Sequence, residues 1–103
     1  MTFRSVRTSP KKPSFVDVNA PARWIAAHVP GSLTLDPDQF KPSDLPAAKD
    51  AALLFYCSGY LCRKAPRAAR RACTKGFPKV SVMSAGMQGW LAAGLVVESL
   101  PAE

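Results

Sequence analysis

The sequence predicts a three-layer α/β domain, in which a central parallel sheet of four to five strands carries helices on both faces. The run Leu53-Leu54-Phe55-Tyr56 is typical of a strand that is buried on both faces of a parallel sheet. After it, small apolar residues recur at helical spacing: Ala65, Ala68, Ala69, Ala72 and Cys73. Three further strand-like runs alternate with helical or turn segments, as crossovers between parallel neighbours require.

The composition indicates one small domain. A chain of 103 residues with 48% hydrophobic content suffices for one compact core and not for two. Residues 1–13 carry four basic side chains and no acid, which predicts a flexible basic arm before a domain spanning 14–103. Such an arm suits nucleic acid or an anionic surface, but a solvated tail is the simpler interpretation, and we expect no nucleic-acid partner.

Several classes of protein are excluded by the sequence. No stretch approaches the roughly 20 apolar residues of a membrane span, and the N-terminus lacks the apolar core of a signal peptide. Three cysteines, an odd number, argue against a secreted disulfide scaffold. We expect a cytoplasmic domain without a membrane partner. His28 is the only histidine, so no Cys/His metal set forms, and neither a metal nor a cofactor is expected.

The first strand-like run, residues 15–18, places Asp17 near the carboxyl end of a central strand. Pro21 follows and opens a brief helix over 22–27. Open α/β sheets bind ligands at this end, so one interpretation has Asp17 holding the wall of an active site by hydrogen bonds. The other interpretation makes Asp17 the cap of the short helix.

A turn at 29–31 leads into a second short strand over 32–35. Residues 36–46 are broken by three prolines, which leaves room for at most one helical turn. Between Ala51 and Val97 there is no acidic residue, whereas seven cations lie there: Arg63, Lys64, Arg67, Arg70, Arg71, Lys75 and Lys79. This pattern predicts one positive face, separate from the acids, that steers anions or an acidic protein. The alternative is simply the charged outer face of a helix.

Residues 80–83 predict the last buried strand. Gly86 then opens a helix that carries Trp90 as a core anchor and ends at Gly94.

Cys57 is the candidate nucleophile, because it ends the predicted buried strand and stands before a helix whose first turn suits Pro66. Free N–H groups and the positive dipole end of a helix lower a thiol pKa from about 8.5 to about 3.5–7.5. The candidate anion-binding loop follows: Ser58, Gly59, Tyr60, Leu61, Cys62, Arg63 and Lys64. Its glycine lets the backbone bend, and its two cations add donors for an oxyanion. The alternative is an ordinary buried thiol.

The other two cysteines have different settings. Cys62, five positions after Cys57, is near enough for a disulfide if the two Cα atoms lie within about 7 Å. Such a bond gives Cys62 a resolving or redox-switch role toward Cys57; alternatively Cys62 fills the inner wall of the loop. Cys73 lies on the alanine face of the predicted helix, where we expect a small buried side chain.

Four segments in order resemble the rhodanese family, from residue 14 to about 98. Residues 15–19 (Phe-Val-Asp-Val-Asn) resemble the family's strand ending in Asp-Val-Arg, and 27–32 (Ala-His-Val-Pro-Gly-Ser) its Gly-His-Ile-Pro-Gly-Ala signature. Tyr56-Cys57 and the following loop resemble the active-site loop whose cysteine carries a persulfide. Residues 76–90, from Gly-Phe to Trp, resemble the last strand and helix. The resemblance implies that His28 ties a turn and that residues 84–87, including Gly86 and Met87, line the rim of the site.

The departures define the alternatives. Asn19 replaces the usual arginine, Ala27 and Ala85 replace glycines, and the loop is longer, with a Cys-x-Gly-x-x-Cys-like arrangement. A longer loop predicts a wider anion site, which argues against thiosulfate as the substrate. Cys57 and Arg63 also satisfy Cys-x5-Arg, the pattern of cysteine phosphatases, including rhodanese-fold cell-cycle phosphatases and arsenate reductases.

Despite these departures, the resemblance implies a sulfurtransferase of the thiosulfate type. A small sulfur oxyanion or a persulfide donates sulfane sulfur to Cys57, and a thiol, cyanide or acceptor protein receives it. We expect a monomer, with Asp17, Gly86 and Met87 in supporting positions. The alternatives are the phosphatase or arsenate reductase, and a non-catalytic module that docks an acidic partner on the basic helix.

Overall fold

The computed structural model describes residues 13–100 and has a four-stranded parallel sheet at its centre. The strands are β1 (Ser14–Asp17), β2 (Leu33–Thr34), β3 (Leu53–Tyr56) and β4 (Val80–Val82), in the order β2-β1-β3-β4. The predicted α/β class with a parallel sheet is thus confirmed. Residues 1–12 of the predicted basic arm lie outside the described residues.

Within residues 13–100, α1 (Pro21–Ala26) lies between β1 and β2, α2 (Lys64–Thr74) lies between β3 and β4, and α3 (Gly86–Ala92) follows β4. A single 3-10 turn, Pro42–Asp44, interrupts the proline-rich loop, as the sequence predicted. In the sheet, Asp17 lies opposite Tyr56, so the carboxyl ends of the two central strands coincide. No helix among the described residues has the length and apolar character needed to cross a membrane.

The alanine stripe of α2 packs on one face of the sheet. Ala65, Ala68, Ala69 and Ala72 are buried, and they share a cluster with Leu53 and Phe55 of β3. Small side chains allow the helix close to the strand, where its apolar surface leaves water. Cys73, predicted to be buried on this face, is exposed. It lies about 100° around the helix from Ala72, beyond the edge of the buried stripe.

The opposite face of the sheet carries a second, aromatic cluster. Tyr56 of β3 packs there with Val29 and with Met87 of α3. Trp90 contacts Phe15 edge to face at 5.7 Å and donates its indole N–H to the carbonyl of Val96 (2.8 Å). Trp90 therefore anchors α3 to the margin of the core, and helices cover both faces of the sheet.

Two expectations about the surface were wrong. β4 is not a buried strand, because it forms the edge of the sheet and Ser81 is exposed. The acids of the proline-rich loop are not separated from the basic helix either. The loop folds against α2, and Asp38 accepts two hydrogen bonds from Arg67, at 2.7 and 2.9 Å. No feature of the sequence predicted that the proline-rich loop would contact α2.

His28 ties the chain together away from the cysteine. It is buried, its ring stacks on Trp24 at 3.9 Å, and its backbone exchanges two hydrogen bonds with Glu98. Its Nε2 lies 3.4 Å from a carboxylate oxygen of Glu98. These contacts agree with the expectation that His28 holds a turn of the chain in place.

Candidate active site

Cys57 is the first residue after β3, a central strand whose four residues are all buried. It is 2% exposed and packs with the α2 side of the core. Val18 donates its N–H to the Tyr56 carbonyl (3.0 Å), which joins the ends of β1 and β3 just before the cysteine. The sulfur of Cys57 therefore lies at the carboxyl edge of the sheet, where such folds bind ligands.

The loop after Cys57 presents unused hydrogen-bond donors. Within residues 13–100, no acceptor engages the backbone N–H groups of Ser58, Gly59, Tyr60 and Leu61. The next N–H, of Cys62, binds the carbonyl of Gly59 at 3.1 Å and closes the loop as a turn. Free backbone N–H groups in a compact turn are a recognised setting for anions.

The start of α3 holds the other side of this loop. Met87 and Gln88 donate their N–H groups to the carbonyls of Cys57 and Ser58, both at 2.9 Å. Gly86 has φ of +60°, and a Cβ there would meet the carbonyl oxygen of Cys57 and lie 2.7 Å from the nitrogen of Gly59. Only glycine allows this close approach. The predicted rim residues Gly86 and Met87 thus touch the loop, and Gln88 is a contact that the sequence analysis missed.

Cys57 and Cys62 form a disulfide, with their Cα atoms 6.4 Å apart. This confirms that Cys62 lies within bonding reach of Cys57. Its side chain is half-buried and also packs against the core.

Two cations follow at the start of α2. Arg63 is the N-cap residue and Lys64 the first residue of the helix, and both side chains are exposed. Among the described residues, no acidic side chain pairs with either of them. A further cation, Arg23 of α1, lines a cavity of about 220 Å³ together with Asn19 and Ser58. The sequence offered no signal for Arg23, because α1 is distant from the loop along the chain.

Asp17 does not cap α1, since the N-cap residue is Ala20 and no side chain caps that helix. Instead, one carboxylate oxygen of Asp17 accepts the N–H of Asn19 at 2.7 Å, and the other has no partner among the described residues. Burial raises the pKa of Asp17 above its ordinary value of 3.8, against the opposing effect of the Asn19 N–H. The carboxyl group shapes the turn that carries Asn19 to the cavity beside the loop.

Burial also raises the pKa of Tyr56, the residue before Cys57. Its hydroxyl accepts the N–H of Val29 at 3.1 Å and donates to Ser32 Oγ at 3.2 Å. The phenol is thus a structural link between β3 and the turn that precedes β2.

The space beside the disulfide is small. A cavity of about 40 Å³ lies between the two cysteines, Met83 and Ser84. A larger groove of about 300 Å³ continues from Met83 and Ser84 past Trp90. Residues 82 and 83 were not among the predicted site residues, although their place at the end of the neighbouring strand indicates them.

The structure therefore brings together Cys57, the candidate anion-binding loop after it (called the cysteine loop below), Gly86 and Met87. Asp17 lies one strand away, at the end of β1.

The comparisons with known proteins agree with this architecture. Residues 5–93 match the Rhodanese-like domain family. A search of curated proteins gives no match. A Bacillus halodurans protein of solved structure superposes with a TM-score of 0.81 at 21% identity, covering 93% of this chain and 70% of that one.

Two other solved structures carry descriptive names. An E. coli structure described as rhodanese with anions superposes with a TM-score of 0.68 at 18% identity, covering 84% of this chain and 98% of that one. A thiosulfate sulfurtransferase from Pseudomonas aeruginosa gives a TM-score of 0.79 at 21% identity, covering 95% of this chain and 19% of that one. These likenesses show the fold, and the match over residues 5–93 shows the family. The chain belongs to the rhodanese-like domain family.

Proposed function

We propose that the domain is a sulfurtransferase that carries sulfane sulfur on Cys57. The observation that carries this proposal is the position of Cys57 at the end of a central strand, followed by four backbone N–H groups without an acceptor among the described residues. A buried thiol before free donors and a helix N-terminus is suited to be a thiolate and to face an oxyanion.

In the reduced protein, the Cys57 thiolate attacks the outer sulfur of thiosulfate. The bond between that sulfur and the sulfonate sulfur breaks, and sulfite leaves with the electron pair. A thiolate, cyanide or a protein thiol then attacks the outer sulfur of the resulting persulfide and regenerates the Cys57 thiolate. A persulfide donor enters by the same attack with a thiolate as leaving group. The domain acts as a monomer in this scheme.

Charge on the departing sulfite is stabilised by the loop. The N–H groups of residues 58–61 and the exposed guanidinium of Arg63 are the available donors, with Lys64 beside them. The solved E. coli structure described as rhodanese with anions supports anion binding by this fold. The P. aeruginosa thiosulfate sulfurtransferase supports thiosulfate as the donor.

The phosphatase hypothesis from Cys-x5-Arg has weaker support, because such chemistry needs a general acid for the leaving group. Asp17 is fully buried with one oxygen engaged, and Asp38 is paired with Arg67. Sulfur transfer needs no such acid, since sulfite leaves without a proton.

The test uses reduced protein and thiosulfate, with sulfite release as the readout. We expect sulfite from wild type and from Cys73→Ser, whose exposed thiol lies outside the loop, and none from Cys57→Ser. Circular dichroism checks that the Cys57 variant folds. Sulfite release by Cys57→Ser contradicts the proposal, and so does hydrolysis of an aryl phosphate by a wild-type protein that ignores thiosulfate.

Arg63 is tested separately. A charge-assisted hydrogen bond contributes about 1.5–3 kcal/mol, so Arg63→Ala should lower kcat/KM for thiosulfate by about 10- to 150-fold. Arg70→Ala is the matched control, because Arg70 is also exposed but lies farther along α2. Equal losses in the two variants indicate a general field of the helix rather than a contact by Arg63.

A further inference from the structure

The two loop cysteines are already within bonding reach in the folded domain. Their sulfurs are joined, and their Cα atoms are 6.4 Å apart. The hydrogen bond from the Cys62 N–H to the Gly59 carbonyl (3.1 Å) closes the turn between them, while α3 holds the carbonyls of Cys57 and Ser58. This turn and these bonds coexist with the disulfide, so the folded domain accommodates a bond between the two sulfurs.

Access to the two sulfurs is unequal. Cys57 is 2% exposed, and the cavity beside the pair measures about 40 Å³, well below the roughly 300 Å³ of an ordinary ligand pocket. Cys62 is only half-buried and lies next to the fully exposed Leu61. An incoming thiol therefore meets Cys62 first. As long as the disulfide persists, Cys57 cannot attack a sulfur donor.

We propose that Cys62 is a resolving cysteine, which makes the domain a dithiol-dependent reductase of sulfane sulfur. This inference rests on the proposed persulfide at Cys57. In this reaction the second substrate is a dithiol reductant, which replaces cyanide or a single thiol as the acceptor. The site then releases the transferred sulfur as hydrogen sulfide.

The resolving step balances internally. The Cys62 thiolate attacks Sγ of the Cys57 persulfide, a bond forms between the two Sγ atoms, and the bond to the outer sulfur breaks. The outer sulfur leaves with the electron pair as hydrosulfide. It is reduced by two electrons, and the two cysteines are oxidised to the disulfide.

A dithiol reopens the site. Its first thiolate attacks the accessible Sγ of Cys62, and Cys57 leaves as a thiolate at the helix N-terminus, ready for the next donor. Its second thiol displaces Cys62 from the mixed disulfide. Over one cycle, thiosulfate and the dithiol become sulfite, hydrogen sulfide and the oxidised dithiol.

The experiment is a single turnover without added reductant. Fully reduced Cys73→Ser protein, freed of small thiols under anaerobic conditions, receives one equivalent of thiosulfate. This background leaves only the two loop cysteines. Sulfite, hydrogen sulfide and remaining protein thiols are measured, and the protein is weighed by mass spectrometry. The same measurements are made on the double variant that also carries Cys62→Ser.

We expect the protein with both loop cysteines to release sulfite and hydrogen sulfide in a ratio near one and to lose the mass of two hydrogens. In the Cys62→Ser protein, the ratio of sulfide to sulfite should fall at least tenfold, and the protein should gain one sulfur atom that cyanide removes. Sulfite release with the sulfur retained on the protein that has both cysteines overturns the resolving role and leaves sulfur transfer standing. Absence of sulfite in both proteins overturns sulfur transfer, and this inference with it.

Discussion

Gly86 offers the sharpest test of how α3 supports the cysteine loop. Its φ of +60° costs an alanine about 1–2 kcal/mol, because L-residues with a side chain avoid this region. A Cβ would also run into backbone atoms of Cys57, Ser58 and Gly59. Moving the loop away strains the two 2.9 Å hydrogen bonds from α3, each worth about 0.5–1.5 kcal/mol. We expect Gly86→Ala to lose about 2–5 kcal/mol of unfolding free energy. We also expect this variant to release no sulfite from thiosulfate.

Gly94 provides the matched control, because it ends the same helix region with φ of +74° and has nothing within 4 Å of a Cβ. Gly94→Ala should therefore lose only about 1–2 kcal/mol and keep its activity. Urea unfolding of both variants, with sulfite release measured beside it, separates the backbone cost from the collision. Equal destabilisation, or an active Gly86→Ala protein, refutes the reasoning that this glycine exists to admit the loop.

Two further predictions concern the strands that carry the site. Tyr56→Phe should cost about 1–3 kcal/mol in urea unfolding, because it leaves the buried N–H of Val29 without its acceptor, whereas Tyr60→Phe, at 78% exposure, should cost nothing. Similar values for both variants would argue against the hydroxyl link. The raised pKa of Asp17 means that the folded state holds its proton more tightly, so its contribution is present below pH 3.8 and declines as pH rises through the folded pKa. In urea unfolding at a series of pH values, the unfolding free energy of wild type minus that of Asp17→Asn should therefore fall as pH rises above 3.8. A difference that stays constant with pH would contradict the raised pKa of Asp17.

Much of the site was predictable because its signals are local. A run of four large apolar residues specifies a strand covered on both faces, and the cysteine after it stands at the sheet edge wherever that strand is placed. The alanine spacing likewise specified the buried stripe of α2. The prediction failed at Cys73, where the spacing extended one position past the true edge of that stripe.

The sequence by itself determined the α/β class, the position of Cys57 and the glycine-containing loop that follows it, since each depends on patterns within a few neighbouring residues. Only the tertiary structure decided the exposed position of β4, the pairing of Asp38 with Arg67 and the approach of Arg23 to Ser58. It also decided that Cys62 bonds Cys57, because the path of the loop depends on the hydrogen bonds from α3. These contacts join residues that only packing brings together, and no local periodicity encodes which surfaces will meet.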